Sequence, residues 1–171
     1  SGFLKYMKTA EQNLIHSDEN FEIQCGKLMQ GDVAKYICDF TNSKLNQDKL
    51  FTKFLYRMLT ELMTNTKDHA YNRKSKFDYC WYIFVENDKD KIKYTFMDNG
   101  IGIPKNDIKR VFDKSFTGEN GRIMAKSTGM GLYIVKKLCD KLGHKIIIES
   151  EIHKYTKITI IFYKNDFYKV D

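Results

Sequence analysis

The chain has 171 residues, 42% of them hydrophobic and 14% aromatic, which is one domain of ordinary size with enough apolar material for its own core. No stretch approaches the roughly 18 apolar residues of a membrane span, and the opening residues lack the pattern of a signal peptide. The formal charge of +7 raises nucleic acid as a partner. The lysines, however, are interspersed with acids along the whole chain, so a solvated basic surface is expected and no nucleic acid.

Ser1-Gly2 stands where an initiator methionine would, and reads as a cleavage scar on an excised fragment whose parent could be membrane-anchored. Cys25, Cys38, Cys80 and Cys139 form no C-x-x-C pair and have no nearby histidine in sequence, so reduced, buried thiols and a cytoplasmic compartment are expected.

Residues 1–48 form an N-terminal segment of weak pattern. Phe3 to Ile15 and Asp32 to Asn42 read as helices, with Phe21 to Cys25 a short strand between them. Residues 49–171 read as the principal domain. Phe51, Phe54, Leu55, Met58, Leu59, Leu62 and Met63 recur at helical spacing and make one apolar stripe. Tyr79 to Glu86 and Lys91 to Met97 are rich in aromatic and β-branched residues, and the loop Asn87-Asp88-Lys89-Asp90 makes them an antiparallel hairpin. A helix is expected over Lys105 to Phe112, with Phe112 as a core anchor, and then an irregular loop to Thr128. Leu132, Val135, Leu138, Cys139 and Leu142 mark another amphipathic helix, stopped at Gly143. Lys145 to Glu149 and Tyr155 to Tyr163 close the chain as strands. The architecture that follows is an α/β (α+β) two-layer sandwich, a mixed, mostly antiparallel sheet covered on one face by helices.

Three constellations carry chemistry. At 100° per residue, Glu61, Asn65, Asp68 and Asn72 share one narrow helix face beside the apolar stripe. Carboxylate and amide oxygens in that half-buried position suit Mg²⁺, and Glu61 could orient or deprotonate an attacking group. Asp98 ends a strand immediately before Asn99-Gly100-Ile101-Gly102-Ile103-Pro104. A carboxylate there can accept the exocyclic amine of adenine, Gly100 and Gly102 allow close backbone approach, and the apolar run through Ile103 is unlike a merely solvated turn. Finally, Thr128-Gly129-Met130-Gly131-Leu132 opens a helix whose free N–H groups favour phosphate. Before it, Phe112 and Phe116 bracket a short segment, and the polar stretch Glu119 to Lys126 could fold over a nucleotide as a flexible lid, with Arg122 and Lys126 its candidate phosphate contacts.

Together these segments resemble the GHKL superfamily of ATP-binding domains, shared by gyrase, heat-shock chaperones, histidine kinases and mismatch-repair ATPases. Glu61-Leu62-Met63-Thr64-Asn65 with His69-Ala70 is similar to its asparagine box, and Asp98-x-Gly100-x-Gly102 to its first glycine box. Thr128-Gly129-Met130-Gly131-Leu132 is similar to the second, and Val111-Phe112-Asp113-Lys114-Ser115-Phe116 to the phenylalanine box of histidine kinases. The likeness covers roughly residues 49–163. It implies Mg-ATP bound between the asparagine-box helix and a lid, with Asn65 as the Mg²⁺ ligand and Asp98 as the adenine contact. Gly100, Gly102, Gly129 and Gly131 would shape the base and phosphate turns. Phe116, Thr128 and Leu132 fall in the matching boxes, and Thr156, just inside the last strand, would lie near adenine.

The chain also departs from that pattern. Most histidine kinases carry Asn where this sequence has Glu61 and a basic residue where it has Asp68. Glu61 is the acid that hydrolytic members and some serine-phosphorylating relatives use as base. His16 precedes the catalytic part without a hairpin that could hold a phosphoacceptor, and is expected at the surface. The leading expectation is the catalytic ATP-binding domain of a histidine kinase, donating phosphoryl to a histidine outside this fragment. A response regulator and a homodimeric parent would be its partners. The alternatives are a hydrolytic conformational switch and an anti-sigma-factor-like serine kinase.

Overall fold

The computed structural model describes residues 31–45, 49–66, 70, 81–118 and 128–164, together with the backbone of 21–26. Its elements are β1 (Phe21–Gly26), α1 (Gly31–Leu45), α2 (Lys49–Asn65), β2 (Trp81–Asn87), β3 (Lys91–Asp98), α3 (Lys105–Ile108), α4 (Gly131–Lys141), β4 (Lys145–Glu151) and β5 (Tyr155–Tyr163). The five strands form one sheet in the order β1-β2-β3-β5-β4. Each of the four described pairings is antiparallel, so the mostly antiparallel sandwich expected from the sequence is antiparallel at every described junction.

The apolar stripe of α2 explains its placement. Phe51, Leu55, Met58, Leu59, Leu62 and Met63 are all buried, against Ile83, Phe96, Ile158 and Ile160 of the sheet and Val135 and Cys139 of α4. These six apolar side chains, at about 1.5–3 kcal/mol each, are what fix the polar end of α2 at one rim of the sheet. α1 adds Ala34, Ile37 and Cys38 to the same core, while β1 is the edge strand of the same sheet. In α4, Leu142 N–H donates to the Leu138 carbonyl at 3.0 Å and His144 N–H to that of Cys139 at 2.8 Å, with Gly143 at φ +66° ending the helix as expected.

The helix expected over residues 105–112 is shorter. α3 stops at Ile108, and the chain continues in tight i→i+3 turns, with Arg110 N–H donating to Asp107 O and Asp113 N–H to Arg110 O, each at 2.8 Å. Ile108, Val111 and Phe112 keep helical spacing, but the backbone closes in i→i+3 bonds, so the local pattern alone does not decide where α3 ends. Val111 is consequently the buried residue and Phe112 is only half-buried, so Phe112 is not the core anchor. The two described cysteines, Cys38 and Cys139, are buried free thiols whose pKa burial pushes up to about 12. Cys80, His16 and the expected helix at 3–15 lie outside the described residues, and of Cys25 only the backbone is described.

Candidate nucleotide site

The C-terminal end of α2, the Asp98 end of β3, the segment from Gly102 to Gly118 and the start of α4 surround one cavity of about 380 Å³. Its wall is apolar at Leu62, Phe96, Ile103, Val111 and Ile158 and polar at Asn65, Thr66, Asp98, Thr128 and Thr156. Such a mixture, mostly apolar with a few convergent polar groups, is what a small-molecule site requires.

Asp98 is the most constrained polar group. It closes β3 between Trp81 and Thr156 and is only 5% exposed. Its Oδ1 accepts the Gly100 N–H at 3.0 Å, and its Oδ2 lies 3.5 Å from the Thr66 hydroxyl. Burial lifts its pKa from 3.8 to about 7, partly offset by hydrogen bonds from the Gly100 backbone, the Thr66 side chain and the Thr156 backbone.

The turn after Asp98 is tied on both sides. Ile101 N–H donates to the Ala70 carbonyl at 2.8 Å, and His153 N–H to the Ile101 carbonyl at 2.8 Å. Gly102 has φ +70°, and a Cβ on it would stand 2.3 Å from the Glu151 carbonyl oxygen, so only glycine fits. Ser150 locks the next residue: its Oγ accepts the Ile103 N–H at 2.8 Å, donates to the Tyr155 carbonyl at 2.7 Å and lies 3.2 Å from the Thr156 hydroxyl.

Asn65, on the same cavity wall, ends α2 with its side chain against Gly131, the first residue of α4. The Asn65 Nδ2 is buried and has no hydrogen-bond partner among the described residues, an arrangement that costs about 1–3 kcal/mol unless a ligand or water supplies one. The start of α4 carries no side-chain cap, which leaves the first-turn N–H groups able to donate to an anion. Glu61, one turn earlier on α2, lines the cavity with its side chain 18% exposed and pairs with Arg57.

The segment preceding α4 is anchored at both of its described ends. Ser115 N–H donates to the Gly129 carbonyl at 3.1 Å, and a Cβ on Gly129, at φ +61°, would stand 2.5 Å from the Phe116 carbonyl oxygen. The Arg110 guanidinium lies over the Phe116 ring, 4.5 Å from its centroid.

Of the residues singled out in the sequence, the cavity wall thus brings together Glu61, Asn65, Asp98, Gly102, Ile103, Phe116, Thr128, Gly129, Gly131, Leu132 and Thr156. Gly100 stands behind the wall instead, where a Cβ would lie 2.3 Å from the Ala70 carbonyl oxygen. Its part is to let the turn pack on the end of the helix and to hold Asp98. Asp68, Asn72, Arg122 and Lys126 lie outside the described residues. Ala70, Val111 and Met130, quoted in the boxes but given no role there, also line the cavity, as do Thr66 and Asp107, which sequence reasoning passes over. Thr66 has a usable signal, since a hydroxyl four residues after Leu62 falls on the buried stripe. Asp107 has none, because its placement depends on how the turns close.

Comparison with known proteins shows the family. Residues 52–166 match the family described as histidine kinase-, DNA gyrase B- and HSP90-like ATPases. The sensor histidine kinase YxdK of Bacillus subtilis (strain 168) is 33% identical over 151 residues, which are 88% of this chain and 42% of that protein. The sensor protein kinase GraS of Staphylococcus aureus (strain MRSA252) is 42% identical over 110 residues, 64% of this chain and 30% of that one. The chain therefore spans less than half the length of these curated relatives. The nucleotide-free catalytic domain of the histidine kinase ThkA has the same fold, with a TM-score of 0.55 at 20% identity over 84% of this chain and 98% of that one. The chain belongs to the histidine kinase-, DNA gyrase B- and HSP90-like ATPase family, as one of its ATP-binding domains.

Proposed function

We propose that this chain is the catalytic domain of a sensor histidine kinase that binds Mg-ATP and donates its γ-phosphoryl group to a histidine outside residues 1–171. The observation that carries the reading is the presence of two unlike polar groups on the wall of one cavity. The buried Asp98 carboxylate is one, and the Asn65 amide beside an uncapped helix start is the other. A nucleotide has an amine-bearing base and a polyanionic tail, and satisfies both at once. The sensor histidine kinases among the relatives support the kinase reading over other members of the family.

In this reading Asp98 accepts the adenine amine, with Thr156 and Ile103 beside it, while Gly102 lets the backbone approach the base. The first-turn N–H groups of α4, opened by Gly129 and Gly131, hold phosphate oxygens, with Thr128 and Leu132 flanking them and Phe116 anchoring the lid stem. Arg122, Lys126 and Asp68, which lie outside the described residues, would be further contacts to the nucleotide. Asn65 Oδ1 is the oxygen that would hold magnesium, and its free Nδ2 fits a group oriented by a ligand; when bound, the metal neutralises charge on the β- and γ-phosphates. The acceptor histidine nitrogen then bonds to the γ-phosphorus as the bond to the β–γ bridging oxygen breaks and ADP leaves. Glu61, at the cavity wall, takes up the proton from the acceptor or orients it. A phosphoacceptor domain, a response regulator, a homodimeric parent and action on the cytoplasmic side complete the proposal.

The chain would be incubated with γ-labelled ATP, magnesium and a histidine-bearing helical hairpin from the dimerisation region of a sensor kinase. Label on the hairpin that is lost in acid and kept in base supports histidine phosphorylation, whereas acid-stable label points to a serine kinase and removes the proposal. Glu61, a carboxylate held at the wall by Arg57, favours a second reading, a hydrolytic switch. Steady phosphate release without any acceptor, lost in Glu61→Ala while ATP still binds, would select it.

A further inference from the structure

Asp98, Thr156 and Ser150 stand in one row across three strands. Asp98 of β3 is the register partner of Thr156 of β5, and Thr156 is that of Ser150 of β4. Residues directly opposed in an antiparallel pair share one face of the sheet, about 4.5–5.5 Å apart. Here it is the helix-covered face, since Phe96, Ile158 and Ile148, two residues along each strand, pack into the core. Asp98 and Thr156 line the cavity, whereas Ser150 stands beside them outside its wall.

A hydroxyl has one proton to give and two lone pairs to receive with, so the protons of this row can be counted. Ser150 Oγ lies 2.7 Å from the Tyr155 carbonyl oxygen, which only accepts, so the Ser150 proton goes there. One Ser150 lone pair takes the Ile103 N–H at 2.8 Å. The remaining contact, 3.2 Å to Thr156 Oγ1, has then to be made by the Thr156 proton. That leaves Thr156 with lone pairs alone for anything bound in the cavity. The Thr66 hydroxyl lies 3.2 Å from the Leu62 carbonyl oxygen and 3.5 Å from Asp98 Oδ2, so its proton is also held within the protein.

We infer that Ser150 is a positioning residue that sets base specificity: by taking the Thr156 proton it makes Thr156 and Asp98 a pair of acceptors, which admits a purine with an exocyclic amine and turns away one with a carbonyl in its place. The amine has two hydrogens, one for each acceptor. A carbonyl oxygen would set lone pairs against lone pairs, and polar groups left unpaired in a hydrogen-bonding site are what reject the wrong ligand. Ser150 touches no ligand itself and acts through Thr156. The inference rests on the reading that a purine nucleotide binds at Asp98, and adds which purine and why.

Calorimetric titration of the full chain with the magnesium salts of ATP and of inosine triphosphate tests this, because the two differ only in that amine and carbonyl. The titrations run at about pH 8.5, above the Asp98 titration at about 7, so that its carboxylate is ionised. The unmodified chain should prefer ATP by at least about 10-fold. In Ser150→Ala the Thr156 proton is free to turn into the cavity and meet a carbonyl, and the preference should fall by about 5-fold or more. Ser150→Thr restores the hydroxyl and should restore the preference. In a Thr156→Val background Ser150→Ala should leave the ratio as it is, since the hydroxyl it acts through is gone. If Ser150→Ala fails to fold, Thr156→Val alone decides, and it should lower the ratio by losing the same acceptor. Weakening of both nucleotides by one factor in Ser150→Ala would make Ser150 a buckle for the turn at Ile103 and overturn the inference. An unchanged ratio in Thr156→Val overturns it too, as does equal, measurable affinity of the unmodified chain for both nucleotides. Binding of neither nucleotide is a different result, which removes the nucleotide reading and this inference with it.

Discussion

Asn65, the last residue of α2, and Gly131, the first of α4, touch: a Cβ on Gly131 would stand 2.7 Å from Asn65 Oδ1 and 2.8 Å from its Nδ2. Glycine at that position thus lets a polar side chain from one helix reach the N-terminus of another. The apolar stripe of α2 and the Val135 and Cys139 side of α4 hold the two helices together. Rigid packing behind the polar pair is what keeps the amide aimed into the cavity.

Gly131→Ala should therefore displace the Asn65 amide without harming the fold, because alanine favours a helix over glycine by about 1 kcal/mol. The expected result is a Mg-ATP affinity lower by at least about 10-fold, or ~1.4 kcal/mol, with a melting temperature little changed. Calorimetric titration beside a thermal melt measures both, and an unaltered affinity would remove this contact from the binding site.

Asp98→Asn should act on binding and stability in opposite directions. On the proposed adenine contact, loss of a charged hydrogen bond weakens ATP by roughly 10-fold or more. For stability the sign is reversed. The folded chain holds the Asp98 proton up to a pKa of about 7, whereas the unfolded chain releases it near 3.8. The favourable contribution of that proton is complete below the lower value and is lost as pH rises through the upper one. The variant should melt above the wild type at about pH 8 and together with it at about pH 4. Parallel melting curves at both pH values would show that burial of the charge costs the fold nothing.

Glu61→Gln keeps the shape of the side chain and removes its charge. With Glu61 acting on the acceptor, turnover should fall by roughly 10²-fold or more, while ATP affinity stays within a few-fold. Single-turnover transfer and equilibrium binding separate the two, and equal losses in both would make Glu61 a binding residue instead.

Gly100→Ala is expected to be a folding defect before it is a binding defect. The added Cβ meets the Ala70 carbonyl oxygen at 2.3 Å, in backbone that cannot swing away as a side chain would. Overpacking of this kind costs about 1–3 kcal/mol, so this variant should melt below Gly131→Ala. The reverse order in a melting experiment would contradict so close a fit of Gly100 against Ala70.

Much of this site can be read from the linear sequence, for identifiable reasons. The stripe from Phe51 to Met63 has a helical period, and the residues from Tyr155 to Tyr163 have strand chemistry, so both elements follow from local patterning. Glu61 and Asn65 follow from the same period, being one turn apart on one face. Asp98 and its glycines are legible because a carboxylate and two glycines at a strand end narrow the local chemistry. The end of α3 is not legible, because the polar and apolar residues from Lys109 to Phe112 suit either a helix or a chain of turns, and only packing selects between them.

The sequence by itself determined which side chains could serve a nucleotide and on which elements they ride, since periodicity and turn chemistry act over a few residues. Only the tertiary structure decided that Asn65 meets Gly131, that Gly100 supports the wall without forming it, and that Asp98 is buried enough to titrate near neutrality. Those relationships join residues far apart along the chain. They are set by how tightly two helices and a sheet close on one another, which no local pattern encodes.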